Sequence, residues 1–138
     1  MTRDPNQGPT GGATPHLVIP SGRGAEAIAF YEKAFGATER TRQHAEDGKR
    51  LMHAHLEVNG GSLMLHDEFP EYGMDADVVP KGVTIHLQVD DADAWWARAI
   101  QAGATETMPL ADQFWGDRYG NVRDPFGHSW SIGSPVRD

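Results

Sequence analysis

Histidine is the residue type with the most capacity for chemistry in this chain, which has seven histidines among its 138 residues. A neutral imidazole binds divalent metal ions, and its titration near neutral pH suits it to acid–base catalysis. Four of the seven, His53, His55, His66 and His86, alternate with apolar residues in segments that are typical of β-strands. Successive side chains of a strand point to opposite faces, so these imidazoles lie opposite the apolar residues. Such a face contacts either bulk water or a lined cavity, and the alternation favours neither.

Aromatic and small polar residues form a second group with chemical potential near the end of the chain. In the segment QFWGDRYG, Trp115 and Tyr119 can stack on a flat ligand, and they can equally pack in a core or against another copy of the chain. The last predicted strand directs Ser131 to the face opposite Trp130 and Ile132. A small polar residue in that position can line a binding site.

Composition excludes several other kinds of site. The chain has no cysteine, which rules out disulfides, thiolate metal sites and cysteine nucleophiles. It has no glycine-rich phosphate loop and no serine in a nucleophile-elbow setting. The formal net charge of −8 argues against binding to nucleic acid or to an anionic membrane surface. No apolar run reaches membrane-spanning length, so we expect a cytoplasmic protein.

An internal repeat indicates how these residues are positioned. The segment AIAFYEKAFGATE, Ala27 to Glu39, resembles ADAWWARAIQAGATE, Ala92 to Glu106, and both contain GATE after a helical pattern. In each copy a glycine follows the helix as its stop signal, and a new strand begins. Asp90 or Asp91 can cap the second helix. The repeat predicts a duplicated structural unit.

The elements around each copy follow the same order, which is βαβββ. The predicted strands cover 15–20, 37–45, 50–58 and 62–67 in the first copy and 83–89, 104–109, 114–122 and 128–133 in the second, with helices over 24–35 and 91–102. The sequence therefore predicts an α+β fold of two tandem βαβββ modules with curved, mostly antiparallel sheets and helices on the outer face.

The domain organisation follows from these elements. Residues 1–13, rich in glycine, proline and polar side chains, are predicted to be a flexible leader. A single domain then covers 14–134, with module one at 14–67, a linker at 68–82 and module two at 83–134.

Several motifs resemble those of a known family. The paired modules together with AIAFYEKAFGA, LMLHDEFPE, AGATETMPL and DQFWGDRYGNVRDPFGHSWSI are similar to the glyoxalase/bleomycin-resistance/dioxygenase superfamily, also called the vicinal oxygen chelate superfamily. Within it the chain most resembles the PhnB-like branch. The resemblance covers about residues 14–134 and implies a cup-shaped sheet in each module, usually completed in a homodimer. It implies that the polar strand faces line a cavity for a substrate or a bound drug.

The resemblance also implies where a metal ion would bind. Metal enzymes of this family place ligands, typically histidine and glutamate, on the first and last strand of each module. Carried over, these positions fall on His16, Met64, Thr84 and Ser131. A thioether and two neutral hydroxyls are poor ligands for Zn²⁺, Ni²⁺ or Fe²⁺. We therefore expect no cofactor, while a shifted metal site at His16 with His55 and His86 remains the alternative.

The prediction for function is a small-molecule-binding protein with a degenerate metal site, which sequesters an antibiotic or a metabolite and works as a homodimer. Two alternatives stay open: a metal-dependent lyase, isomerase or dioxygenase that uses His16 and nearby cavity histidines, and a metal-free enzyme with a cavity histidine as general base. The predicted ligand-binding residues are His16, His53, His55, Met64, Thr84, His86, Trp115, Tyr119 and Ser131.

Overall fold

The computed structural model describes residues 8–73 and 79–137, which contain two α-helices, two short 3₁₀ helices and eight strands. The elements of the first half are β1 His16–Ile19, α1 Gly24–Phe35, β2 Thr38–His44, β3 Leu51–Val58 and β4 Gly61–Asp67. Those of the second half are β5 Thr84–Gln88, α2 Ala92–Ala102, β6 Thr105–Asp112, β7 Asp117–Arg123 and β8 Ser129–Pro135. The predicted βαβββ order is confirmed in both halves.

The chain divides into two compact units. The first comprises Met1–Glu32 with Gly36–Val78, and the second comprises Lys33–Phe35 with Val79–Asp138. The sheet of the first unit has the strand order β1-β4-β3-β2, and that of the second has the order β5-β8-β7-β6. In each sheet the first and last strands of the module pair in parallel, and the remaining neighbours are antiparallel. Both sheets are therefore mixed, and the predicted α+β class is confirmed.

A buried aspartate holds the beginning of α1. The side chain of Asp67, at the end of β4, is completely buried and accepts hydrogen bonds of 2.7 Å from the backbone nitrogens of Gly24 and Leu51. A Cβ atom at position 24 would lie 2.6 Å from Oδ2 of Asp67, so glycine is required there. In the second unit the hydroxyl of Ser134 accepts a hydrogen bond of 3.3 Å from the backbone nitrogen of Ala92. Asp67 and Ser134 thus occupy corresponding positions in the two modules.

The helix signals of the sequence are also confirmed. Asp91 caps α2, since its side chain accepts a hydrogen bond of 3.1 Å from the backbone nitrogen of Ala94. Gly36 and Gly103 end the two helices with positive φ angles of 66° and 121°, conformations that suit a residue without a side chain.

The apolar side chains of the alternating strands form the core of each unit, as predicted. The buried apolar residues of the first unit include Leu17, Ile19, Ile28, Tyr31, Leu56, Leu63 and Leu65, and those of the second include Leu87, Ala99, Val122, Trp130 and Ile132. Helix α2 packs against β6, β7 and β8. The polar faces identified from the sequence lie opposite these apolar residues, so the fold leaves them available for a site.

The structure corrects the predicted strand over 114–122. This strand begins at Asp117, because residues 113–116 form a turn in which the backbone nitrogen of Gly116 donates a 3.2 Å hydrogen bond to the carbonyl of Gln113. Gly116 has a φ of 98°, which favours glycine and ends the extended conformation. Phe114 and Trp115 therefore lie in the turn. The strand predicted at 104–109 extends to Asp112 instead.

Parts of the predicted leader and linker fall outside the described residues, which leave out 1–7 and 74–78. Gly8, which belongs to the described part of the predicted leader, is buried. In the linker, Pro70–Tyr72 forms a short 3₁₀ helix that ends at Gly73. No helix in the described part of the chain is long and apolar enough to cross a membrane.

Candidate functional site

Strand register defines which residues correspond in the two modules. In the first sheet, Met64 of β4 lies between His16 of β1 and His55 of β3. In the second sheet, Ser131 of β8 lies between His86 of β5 and Asn121 of β7. Asp67 and Ser134, which hold the two helix starts, each follow three residues later. Met64 therefore corresponds to Ser131, and His16 corresponds to His86.

This register bears on the position that the family resemblance assigned to Thr84. Thr84 lies opposite Ser129, and their hydroxyl oxygens are 3.2 Å apart. The residue beside Ser131 is His86, two positions further along β5. The corresponding first-strand positions of the two modules are thus both occupied by histidine.

His86 makes a hydrogen bond with each of its ring nitrogens. Nδ1 is 2.7 Å from Oγ of Ser131, and Nε2 is 2.7 Å from Oε1 of Gln88. An amide oxygen only accepts, so Nε2 carries the proton, and in the neutral ring Nδ1 accepts from the Ser131 hydroxyl. The ring also stacks on Tyr119, with centroids 5.7 Å apart and an interplanar angle of 22°. Three neighbours therefore fix both the orientation and the tautomer of this imidazole.

Aromatic rings continue from His86 to the surface of the second unit. Trp115 contacts Tyr119 edge to face at a centroid distance of 5.5 Å, and Phe114 contacts Trp115 at 5.1 Å. Phe114 is 97% exposed and Trp115 is 48% exposed, so neither belongs to the core. Of the interpretations that the sequence left open for Trp115, core packing is excluded.

An open recess of about 590 Å³ lies along these rings, and we call it the β5–β8 recess. It is lined by Thr84, His86, Met108, Trp115, Asp117, Tyr119, Asn121 and Ser131. Gly133 allows the rings to lie close to β8, because a Cβ atom there would be 3.0 Å from the His86 ring and 3.4 Å from the Tyr119 ring. Five of the predicted ligand-binding residues, Thr84, His86, Trp115, Tyr119 and Ser131, are brought together here.

Sequence reasoning missed three residues of the recess: Met108, Asp117 and Asn121. Asp117 and Asn121 lie two residues before and after Tyr119 on the same face of β7, a strand whose start was predicted wrongly. Because every second residue of a strand points to the same face, counting from Tyr119 would have identified both Asp117 and Asn121. Oδ1 of Asn121 is buried and has no hydrogen-bond partner among the described residues.

The remaining predicted residues, His16, His53, His55 and Met64, lie in the first unit. His16 meets His66 edge to face, with ring centroids 4.8 Å apart. Burial, followed by the charges of His66 and His53, lowers the pKa of His16 below its usual value. His66 donates through Nδ1 to the carbonyl of Asp67 at 2.7 Å, which fixes its tautomer. The neighbouring imidazoles therefore favour the neutral form of His16.

His55 lies in a different setting, since only 6% of it is exposed. Its Nε2 is 3.0 Å from the hydroxyl of Ser62. Beside it is a recess of about 370 Å³ whose other walls include Arg40, Glu57 and residues 8–10. The end of the predicted leader therefore contributes to the surroundings of His55.

The donor atoms do not fit the metal site that the family resemblance implies. Both nitrogens of His86 are engaged with Ser131 and Gln88, and Ser131 supplies a hydroxyl where a carboxylate is needed. Beside His16 stands the thioether of Met64, a soft ligand. Within residues 8–73 and 79–137 no group of three or more histidine, cysteine, aspartate or glutamate side chains could hold a metal ion.

Comparisons with known proteins agree with the fold described above. A solved structure of protein PA1353 from Pseudomonas aeruginosa has a TM-score of 0.71 at 29% identity and covers 89% of this chain and 96% of that one. The PhnB protein from Bacillus cereus has a TM-score of 0.69 at 16% identity, covering 88% of this chain and 98% of that one, which shows a shared fold. The curated relative Mb0911c from Mycobacterium bovis, an uncharacterized protein, is 50% identical over 130 residues, or 91% of this chain and 84% of the relative.

A family model covers almost all of the described chain. The model described as the Glyoxalase/Bleomycin resistance protein/Dioxygenase superfamily matches residues 13–132. This range includes module one, module two up to residue 132 and every predicted ligand-binding residue, so the resemblance noted in the sequence is confirmed. The chain belongs to the glyoxalase/bleomycin resistance protein/dioxygenase superfamily.

Proposed function

We propose that this protein binds a small organic molecule in the β5–β8 recess and does so without a bound metal ion. The observation that carries the proposal is the double engagement of His86, whose two nitrogens face Ser131 and Gln88 at 2.7 Å. A metal ligand needs a free lone pair, and the one lone pair of the neutral ring, on Nδ1, already accepts a hydrogen bond from Ser131. The β5–β8 recess therefore combines polar side chains with a row of aromatic faces, and this combination suits the binding of a small organic molecule.

The aromatic side chains of the recess favour a flat ligand. Trp115 is half-exposed and Tyr119 presents its ring within the same recess. Exposed aromatic surface is costly in water, and stacking on a planar ligand removes it from solvent. Sequestration of an antibiotic or a metabolite is the activity we favour for such a site.

A second candidate function is a metal-free enzyme with His86 as general base. One observation favours it: the hydroxyl of Ser131 lies within hydrogen-bond reach of His86, and Gln88 orients the imidazole from the other side. A neutral glutamine stabilises an imidazolium less than a carboxylate would, which weakens this candidate. Turnover of a bound ligand that is lost in His86→Asn, with binding retained, would favour it over sequestration.

A thermal-shift screen tests the binding function. Aromatic antibiotics and thiol–aldehyde adducts are the first classes to screen, in buffer with a chelator, since a bound ligand raises the melting temperature. A true ligand should lose its effect on Trp115→Ala and keep it on Phe114→Ala. Phe114 is the matched control, because it is a neighbouring exposed aromatic residue that does not line the recess. Equal shifts in the parent and both variants would place binding elsewhere.

We also propose that the protein acts as a homodimer in the cytoplasm. Val79 and Val83 are apolar and more than 70% exposed, which gives a second copy apolar surface to cover. Light scattering on the purified protein measures the mass directly, and a monomer across the accessible concentration range would contradict the dimer.

A further inference from the structure

We propose that the ligand of the β5–β8 recess is planar, carries hydrogen-bond donors and is neutral or cationic, and that the recess rejects anions. This inference rests on the binding function proposed above and specifies the chemical class of the ligand. Its basis is the charge and the hydrogen-bond polarity of the lining side chains.

The charge of the lining is negative. Among the eight described residues that line the recess, none is lysine or arginine, and Asp117 contributes a carboxylate. Within the described part of the chain, Asp117 has no basic side chain within ion-pair distance. A phosphate, phosphonate or carboxylate ligand would find no opposite charge here and would be repelled by Asp117. A cation would supply the counter-charge that Asp117 lacks.

The buried oxygen of Asn121 is an acceptor without a donor. Its Oδ1 is shielded from solvent, and no described group donates to it. A buried acceptor without a partner lowers the stability of the folded protein by about 1–3 kcal/mol, because its hydrogen bonds to water are lost and no protein donor replaces them. Asn121 lines the recess, so a ligand that presents an N–H or O–H group recovers that cost once the amide turns its oxygen toward the ligand, whereas a ligand acceptor in the same place adds repulsion.

Ser131, the register neighbour of Asn121, has the same polarity. Gln88 requires the proton of His86 to be on Nε2, so the neutral ring accepts the Ser131 hydroxyl hydrogen at Nδ1. The hydrogen of Ser131 is therefore used, and because the residue is only 1% exposed, its remaining lone pairs lie beneath the surface of the recess and make that surface electronegative. Ser131 and Asn121 face each other across β7 and β8, which places two acceptors side by side.

The aromatic side chains determine the shape of the ligand. The rings of His86 and Tyr119 are nearly parallel at 22°, and Trp115 meets Tyr119 edge to face at 73°. Aromatic faces attract both flat rings and cations. A planar ring with a coplanar donor group, such as an amidinium or an aromatic amine, stacks on the faces and is complementary to the electronegative surface beside Asn121 and Ser131.

The test uses two probes of one shape and opposite polarity. Naphthalene amidine and naphthalene carboxylate share a ring and have planar head groups of similar size, but the first only donates and the second only accepts. Amide NMR titrations of the full chain give the dissociation constants, with the signals of Tyr119, Asn121 and Ser131 reporting the location. We expect the amidine to bind at these residues roughly tenfold or more tightly than the carboxylate.

Two variants separate specific recognition from the general attraction of cations to an acidic protein. Asn121→Leu removes an acceptor that has no partner, so it should preserve the fold and weaken amidine binding by about tenfold. Asp90→Asn removes an exposed negative charge away from the recess and should leave the binding unchanged. Unaltered amidine affinity in Asn121→Leu would overturn the inference.

The remaining outcomes distinguish the two proposals. If the carboxylate binds in the recess as tightly as the amidine, the ligand class is wrong while the binding function stands. If neither probe shifts the signals of the recess, both the ligand class and the proposed binding site are wrong. If the amidine shifts only signals outside the recess, the inference is likewise overturned.

Discussion

The buried carboxylate of Asp124 accepts a 2.9 Å hydrogen bond from the indole Nε1 of Trp130, six residues later. The other oxygen of Asp124 accepts from the backbone nitrogens of Phe126 at 2.9 Å and His128 at 3.0 Å. One side chain therefore shapes the turn and anchors the core residue that precedes Ser131. The DPFGHSW motif is thus a structural device that positions the last strand of the recess.

Replacement of Asp124 should measure that anchoring. In Asp124→Asn one oxygen can still accept from the backbone, but the amide nitrogen faces the indole N–H, so the buried donor of Trp130 loses its partner. We expect a loss of roughly 1–3 kcal/mol in the free energy of unfolding, measured by urea denaturation. Asp90→Asn, an exposed change, should stay within about 0.5 kcal/mol of the parent. A similar stability for the two variants would contradict this role.

Gly24→Ala should destabilise the first unit. Its Cβ atom would lie 2.6 Å from Oδ2 of Asp67, a completely buried side chain that also holds Leu51. Because neither group can move without breaking a hydrogen bond, we expect a cost of about 1–3 kcal/mol. Gly61→Ala is the control, since its Cβ atom would be at an ordinary 3.7 Å from the carbonyl of Val58. Equal melting temperatures for the two variants would disprove the steric argument.

The histidines of the first unit predict a loss of stability in acid. The pKa of His16 in the folded protein is lowered by burial and by His66 and His53. The unfolded chain therefore binds more protons below the usual value of 6.5, and stability falls as the pH decreases through that window. Urea denaturation should show a smaller loss between pH about 7.5 and about 5 in His16→Gln than in the parent. His66→Gln should reduce the loss in the same way, and an unchanged pH dependence in both variants would contradict the prediction.

The tautomer of His86 can be read directly. Long-range nitrogen–proton NMR correlations on the neutral ring should show hydrogen on Nε2 in the parent, because Gln88 accepts there. Gln88→Leu removes that acceptor and should give a mixture of tautomers or a switch to Nδ1–H. A ring protonated at Nδ1 in the parent would show that Ser131 is not the donor, and would remove one of the two acceptors in the recess.

The sequence alone predicted the architecture well, for identifiable reasons. The GATE repeat and the glycine helix stops are local signals, and Gly36 and Gly103 end the helices where those signals indicated. Strand alternation also separated the polar face of His53 and His55 from the core residues Ala54 and Leu56. The alternation of strand residues and the glycine signals at helix ends depend only on residues close together in the chain. They can therefore be recognised in the sequence before the fold is known.

The site depended on information that neighbouring residues do not carry. Pairing of β5 with β8 places His86 beside Ser131, and this register joins residues 45 positions apart. The unpartnered oxygen of Asn121 is a consequence of three-dimensional burial. The turn at Gly116 interrupted a strand pattern that hydrophobicity alone would have continued. These features are the basis on which we propose hydrogen bonding in place of a metal centre, and only the structure supplies them.

The most direct test of the central claim, that hydrogen bonds of His86 and Ser131 take the place of a metal centre, is the metal content of the protein. Elemental analysis should be done on protein made without an affinity tag and with the usual divalent metals present during growth. We expect far less than one equivalent of zinc, nickel, iron or manganese per chain. About one equivalent of any of these metals, lost in His86→Ala or His16→Ala, would contradict it.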